Sequence, residues 1–319
     1  MVLSPKTAVS LLVARQRKEM HACFLLFVLV ASFSLAFPSF VEPREGTRSR
    51  VFSEEANTLV FSCDLVRDVK NVLVVAAHPD DIETIAGGTV SSMVGCGKKV
   101  HYLVTTDGDK GWDKTKNMTE ALLAAIREEE QLQAANVLGV SSVTFLHQED
   151  GRLEGVDPIA LKQNITEVIR NVQPELLLTF SPEMDYSTYV FGLMHSDHQK
   201  TGEVAMNAVW PAARDYMAFP DLSGLATWDV STVWLFRWSA PTHKAASHDV
   251  SVVVPLNEAV FQLKSQAMLE HHSQYNDPKA VVKGLRDIGK FVQGNFMPIA
   301  ASAAAEAGGM EAFQVITIL

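Results

Sequence analysis

Six short apolar runs punctuate the chain after residue 70: "NVLVVAA" (71–77), "VHYLVTT" (100–106), "VTFLH" (143–147), "ELLLTFS" (175–181), "TVWLFRW" (232–238) and "DVSVVVPL" (249–256). Most of them lack polar alternation. A strand with one wet face alternates, whereas a strand buried on both faces does not. Helix-like stretches lie between the runs. "TEALLAAIREEEQLQAANVLG" (119–139) repeats apolar residues at helical spacing and ends in Gly139, which suits the left-handed residue that closes a helix. "DPIALKQNITEVIRNV" (157–172) opens with Asp157 as cap and Pro158 in the first turn. The alternation predicts an α/β fold, a Rossmann-like and mainly parallel sheet with helices on both faces.

In such a sheet, ligands sit beyond the carboxyl ends of the strands. The first run ends there in "AHPDD" (77–81). Two adjacent carboxylates at the mouth of a buried strand are costly unless a cation neutralises them. "TTDGD" (105–109) and the loop after "ELLLTFS" reach the same rim. A dinucleotide fold would place G-x-G-x-x-G in the first turn, but that turn reads H-P-D-D-I-E, with Gly87 and Gly88 arriving late. A nicotinamide cofactor is therefore disfavoured.

The segment "MHSDHQKTGEVAMNAVW" begins at Met194, and "TGEVAMNAVW" reads as a helix. His195 and His198 are three apart and can share one helix face. A catalytic zinc takes three protein ligands and keeps one position for water. His78 and Asp81 can chelate together across their tight turn, and His198 completes the set. Asp80 is then free to take a proton from the water. His195 would stabilise the oxyanion and hand a proton to a leaving amine. Asp197 would fix the tautomer of His195. Two histidines and a carboxylate also suit Fe2+, so an iron oxygenase is the first rival.

The chain has 319 residues and a formal net charge of −10, which argues against wrapping nucleic acid. Cys23, Cys63 and Cys96 show no C-x-x-C spacing, and the sequence leaves a Cys63–Cys96 pairing open. Near the N-terminus, "ARQRKEM" precedes the apolar stretch "ACFLLFVLVASFSLAF", which ends at Pro38. Residues 1–37 therefore read as a signal peptide, with an uncleaved membrane anchor as the alternative. Residues 38–54 read as a linker and 55–319 as one catalytic domain. The expected location is the secretory pathway, foremost the endoplasmic reticulum, with a secreted or organellar enzyme as the alternative. Sequons at Asn117 and Asn164 fit that compartment.

These motifs resemble the LmbE/PIG-L family of zinc-dependent sugar de-N-acetylases. Its A-H-P-D-D and H-x-D-H elements stand here as "AHPDD" (77–81) and "HSDH" (195–198). "IETIAGGT", "TTDGDKG", "REEEQLQAANVLGV", "EHHSQ" (270–274) and "MEAF" (310–313) resemble further family elements, so the likeness runs from about residue 71 to the end. The resemblance implies metal ligands at His78, Asp81 and His198, the base at Asp80, and His195 with its partner Asp197 at the transition state. It also implies substrate contacts at Arg127 and His271. The residue-level alternative for Arg127 is a solvent-facing partner for Glu130. The implied reaction removes an N-acetyl group from an N-acetylglucosamine-type glycoconjugate. For a membrane-associated member this would be lipid-linked N-acetylglucosaminyl-phosphatidylinositol in GPI-anchor synthesis. Alternatives are hydrolysis of another amide and a non-catalytic carbohydrate-binding relative. Two departures stand out: Ser196, where many relatives have proline, and an aromatic stretch over 186–194, either a flap or a wall for a sugar face or lipid.

Overall fold

The computed structural model describes residues 58–111, 118–183, 195–237, 250–296 and 309–318, all within the compact unit Phe52–Leu319. Expectations for the targeting segment, the linker up to residue 54, the Asn117 sequon and the 186–194 stretch fall outside the described residues. No helix among the described residues is long and apolar enough to cross a membrane.

The strands are β1 (Thr58–Val60), β2 (Asn71–Ala76), β3 (Lys99–Thr106), β4 (Ser142–Gln148), β5 (Leu176–Thr179), β6 (Thr232–Arg237), β7 (Val250–Pro255) and β8 (Met310–Thr317). They form one sheet in the order β1-β7-β8-β6-β5-β2-β3-β4. Five pairings are parallel, and only β8 runs antiparallel to its neighbours β6 and β7. All six apolar runs supply strands. The sequence reading missed β1, which is three residues long, and β8, whose "MEAF" start places a glutamate where a buried strand should be apolar.

The helices are α1 (Asp81–Gly95), α2 (Glu120–Leu138), α3 (Pro158–Val172), α4 (Ser196–Asn207), α5 (Glu258–Leu269) and α6 (Pro278–Phe296). Thr119 caps α2 by accepting from the Leu122 amide, and Gly139 closes it at φ 74°. Asp157 caps α3 by accepting from the Ile159 amide, with Pro158 in the first turn. One sheet face packs Val72, Val74 and Tyr102 against Ile82, Met93, Leu138 and Phe261 of α1, α2 and α5. The other packs Leu73, Val75 and Leu103 against Leu161, Ile165, Ile169 and Val204 of α3 and α4. Alternate residues of β2 thus enter different cores, which accounts for its continuous apolar run.

The chain moves outward from β2 to β3 and β4, then returns to the opposite side of β2 as β5. The carboxyl ends of β2 and β5 therefore flank the crevice where strand order reverses, the usual ligand position in an open α/β sheet. A Cys63–Cys96 disulfide, with Cα atoms 5.5 Å apart, ties the chain before β2 to the end of α1.

Candidate metal centre

β2 delivers His78 to this crevice, and the turn after it delivers Asp80 and Asp81. Asp80 has φ 100°, a conformation that strains any residue but glycine. Its amide donates to Gln131 Oε1 at 3.0 Å. Asp81 opens α1, and its Oδ2 accepts from the His78 amide at 2.8 Å and the Ala77 amide at 3.2 Å. The turn is thus closed on its own carboxylate. On the other side of the crevice, His195 caps α4 and His198 lies in its first turn. The Phe180 ring stacks on His198 with centroids 4.1 Å apart and fixes its plane.

Donor groups of three residues converge. His78 Nδ1 is 3.2 Å from His198 Nε2, His198 Nε2 is 3.2 Å from Asp81 Oδ1, and His78 Nδ1 is 3.4 Å from Asp81 Oδ2. All three residues are buried. Burial would raise the Asp81 carboxyl, but His198 and His78 hold it well below the usual carboxylate range. The set can hold a metal ion, and its two nitrogens and one carboxylate fit zinc or Fe2+.

The other ring nitrogen of His78 faces two further carboxylates. His78 Nε2 is 3.1 Å from Asp150 Oδ1 and 3.3 Å from Asp197 Oδ2. A carboxylate behind a ligating imidazole orients the ring and raises its basicity. Sequence reasoning missed Asp150. The available signal was its position, directly after β4 on the same rim, but no paired motif marks it.

The structure corrects the role expected of Asp197. Its Oδ2 accepts from the Gly151 amide at 2.6 Å and its Oδ1 from the Leu153 amide at 3.1 Å, and it backs His78. It lies 3.9 Å from His195 Nδ1, too far for a hydrogen bond. His195 Nδ1 instead accepts from the Asp197 backbone amide at 3.2 Å. Neutral His195 must therefore carry its proton on Nε2. The side chain is 42% exposed, open to the crevice. Burial, with His78 and His198 nearby, lowers its pKa and favours that neutral form.

Asp80 is gripped from behind. Its Oδ1 is 3.2 Å from Arg127 Nη2, and its Oδ2 accepts from the Tyr275 hydroxyl at 3.2 Å. Burial raises the Asp80 pKa, while Arg127 and His271 oppose the rise. Arg127 is only 3% exposed; it donates to the Pro79 carbonyl and, at 2.8 Å, to the Gly108 carbonyl. It neither faces solvent nor pairs with Glu130, whose carboxylate accepts from the Ser273 amide and hydroxyl, both at 2.6 Å. A Cβ at Gly108 would lie 2.5 Å from Arg127 Nη1, so "TTDGD" needs its glycine.

His271, expected to contact substrate, is fully buried, with Nε2 3.3 Å from Glu83 Oε2. It has no accessible face for a sugar in this structure. Its segment serves the site through Tyr275, which sequence reasoning did not single out.

Residues 73–209 match the family model "PIG-L: GlcNAc-PI de-N-acetylase". The chain is 29% identical over 230 residues to the diacetylchitobiose deacetylase of Thermococcus kodakarensis, covering 70% of this chain and 79% of that one. It is 31% identical over 142 residues to a probable N-acetyl-alpha-D-glucosaminyl L-malate deacetylase 2 of Bacillus cereus, covering 44% and 61%. Among solved structures, N,N'-diacetylchitobiose deacetylase from Pyrococcus horikoshii with a bound inhibitor superposes at a TM-score of 0.62 with 25% identity, over 79% of this chain and 85% of that chain.

Proposed function

Since this chain carries a domain of the PIG-L (LmbE-like) deacetylase family over residues 73–209, we propose that it hydrolyses the acetamide of an N-acetylglucosamine-type glycoconjugate, releasing acetate and a free amine. One observation carries the reading. The rings of His78 and His198 meet at 3.2 Å, each lies within 3.4 Å of a different oxygen of the Asp81 carboxylate, and Asp80 adjoins them without joining the set. Four carboxylates, those of Asp80, Asp81, Asp150 and Asp197, crowd the crevice, so a divalent cation fits its charge.

Zinc is the proposed ion; bound there, it would polarise the acetamide carbonyl and lower the pKa of water to about 7. Asp80 receives the proton of the attacking water. Its raised pKa suits a base that must later return that proton. His195 Nε2–H donates a hydrogen bond to the oxygen that gains charge in the tetrahedral transition state, and Asp80 returns its proton to the departing amine. Arg127 and Tyr275 hold the Asp80 carboxylate in line, and Asp150 with Asp197 holds the His78 ring.

The relatives named above act, by name, on a chitobiose and on a malate glycoside, which share an N-acetylglucosamine and differ in what it is joined to. A small N-acetylglucosaminide is therefore the first substrate proposed. N-acetylglucosaminyl-phosphatidylinositol has the family model's name in its support and is tested beside it. We place the chain in the secretory pathway, entering at the endoplasmic reticulum, on the apolar stretch before Pro38 and the Cys63–Cys96 disulfide, since disulfides persist in oxidising compartments.

The test is acetate release from diacetylchitobiose, N-acetylglucosaminyl-inositol and N-acetylglucosaminyl-phosphatidylinositol, with zinc and after chelation. Zinc-dependent release from at least one is expected. Asp80→Asn should lower kcat about 10²–10⁴-fold while the chain keeps its metal. Metal-loaded wild-type chain that releases no acetate from any of the three would overturn the reading.

A further inference from the structure

We propose that Asn164 carries an N-linked glycan whose inner sugars lie in the groove between α3 and the edge strand β4. The proposal rests on the secretory location above. Asn164 opens the sequon Asn164-Ile165-Thr166 and is exposed on α3. Thr166 is fully buried, and its hydroxyl has no hydrogen-bond partner. A buried, unpaired hydroxyl is destabilising, and a valine of similar shape would pack without that cost. The fold therefore gains nothing from this hydroxyl. The sequon does, because it needs a hydroxyl at its third position.

The glycan also has a place to go. A groove of about 580 Å³ runs beside Asn164, lined by Glu167 and Asn171 on the same stripe of α3 and by His101, Ser142 and Thr144 of the sheet. The stripe from Asn164 to Asn171 rises about 10 Å at 1.5 Å per residue. These are hydrogen-bonding side chains, the kind that receive sugar hydroxyls. β4 is the last strand of the sheet order, and an uncovered edge strand is a liability that folds cover or blunt. The groove reaches Asn71 and Lys99, the first residues of β2 and β3, so it lies toward the strand starts. The metal centre lies beyond the strand ends, and a glycan here leaves it open.

The full chain is expressed through a eukaryotic secretory pathway and its tryptic peptide 163–170 is followed by mass spectrometry. The peptide is expected only after glycosidase treatment in heavy-oxygen water, with its asparagine converted and labelled. Asn164→Gln and Thr166→Val should abolish the modification, Thr166→Ser should keep it, and kcat/KM should stay unchanged in all three. Removing the glycan from the folded protein should increase hydrogen exchange over 142–148 but not over 71–76. An unmodified peptide in chains whose Cys63–Cys96 disulfide has formed overturns the site while the secretory reading stands. An unmodified peptide with free thiols overturns both. A glycosylated chain with unchanged exchange over 142–148 overturns the seating in the groove.

Discussion

At the scale of single residues, the proposed function separates groups that would hold an ion from groups that would act beside it. His198→Ala removes one of three converging donors, so zinc occupancy measured by mass spectrometry should fall sharply. His195→Gln leaves those donors intact, so occupancy should hold while kcat falls by about 10²-fold, a loss typical of one oxyanion donor. Asp150→Asn keeps a hydrogen-bond acceptor behind His78 but removes the charge. A chelator competition should show metal bound about 10–100-fold more weakly, the usual cost of losing such a partner. The proposed ligand positions carry local signals in the sequence: His78 and Asp81 stand three apart across a turn, and His198 stands three from His195. The residues behind them do not. Asp150, Tyr275 and Gln131 reach the site from separate segments, and no linear pattern joins them. Arg127 and His271 were noticed, but their buried partners were not, because a motif gives a residue's identity and not which way its side chain is buried.

At the scale of elements, α1 shows why its glycines fall where they do. The amides of Gly88 and Thr89 donate to Glu311 of β8 at 3.0 Å and 2.7 Å, and Lys264 of α5 donates to the Thr84 carbonyl at 2.9 Å. An ion pair from two distant segments is thus wedged against the middle of the helix that carries Asp81. A Cβ at Gly88 would lie 2.4 Å from Leu256 Cδ2 and 3.2 Å from Glu311 Oε1. Alanine would gain about 1 kcal/mol of helix propensity. Overpacking costs about 1–3 kcal/mol, and it should win because Leu256 is itself buried. Gly88→Ala should therefore lower the urea midpoint. The helical stretches 119–139 and 157–172 were legible from their caps and period, within a residue of the observed ends. β8 was not, since its buried Glu311 makes sense only beside Lys264.

At the scale of the whole molecule, the buried Lys264–Glu311 pair fastens the last strand to the helix that opens the site. Both side chains are nearly inaccessible. Lys264→Met strands a buried carboxylate and should cost about 3–5 kcal/mol in chemical denaturation, with part recovered when Glu311→Gln is added. The mainly parallel architecture was legible because strands buried on both faces must read as unbroken apolar runs. The mixed edge, with β8 antiparallel between β6 and β7, depended on long-range pairing that no run of residues announces.

The two imidazoles that meet across the crevice are 120 positions apart along the chain, one on each side of the reversal in strand order. Neither half of the chain owns a complete chelate. Ion capture must then wait until the outward and returning halves of the sheet have joined at β2 and β5, and an ion present at a hundred times its dissociation constant would hold that junction shut by about 2.7 kcal/mol.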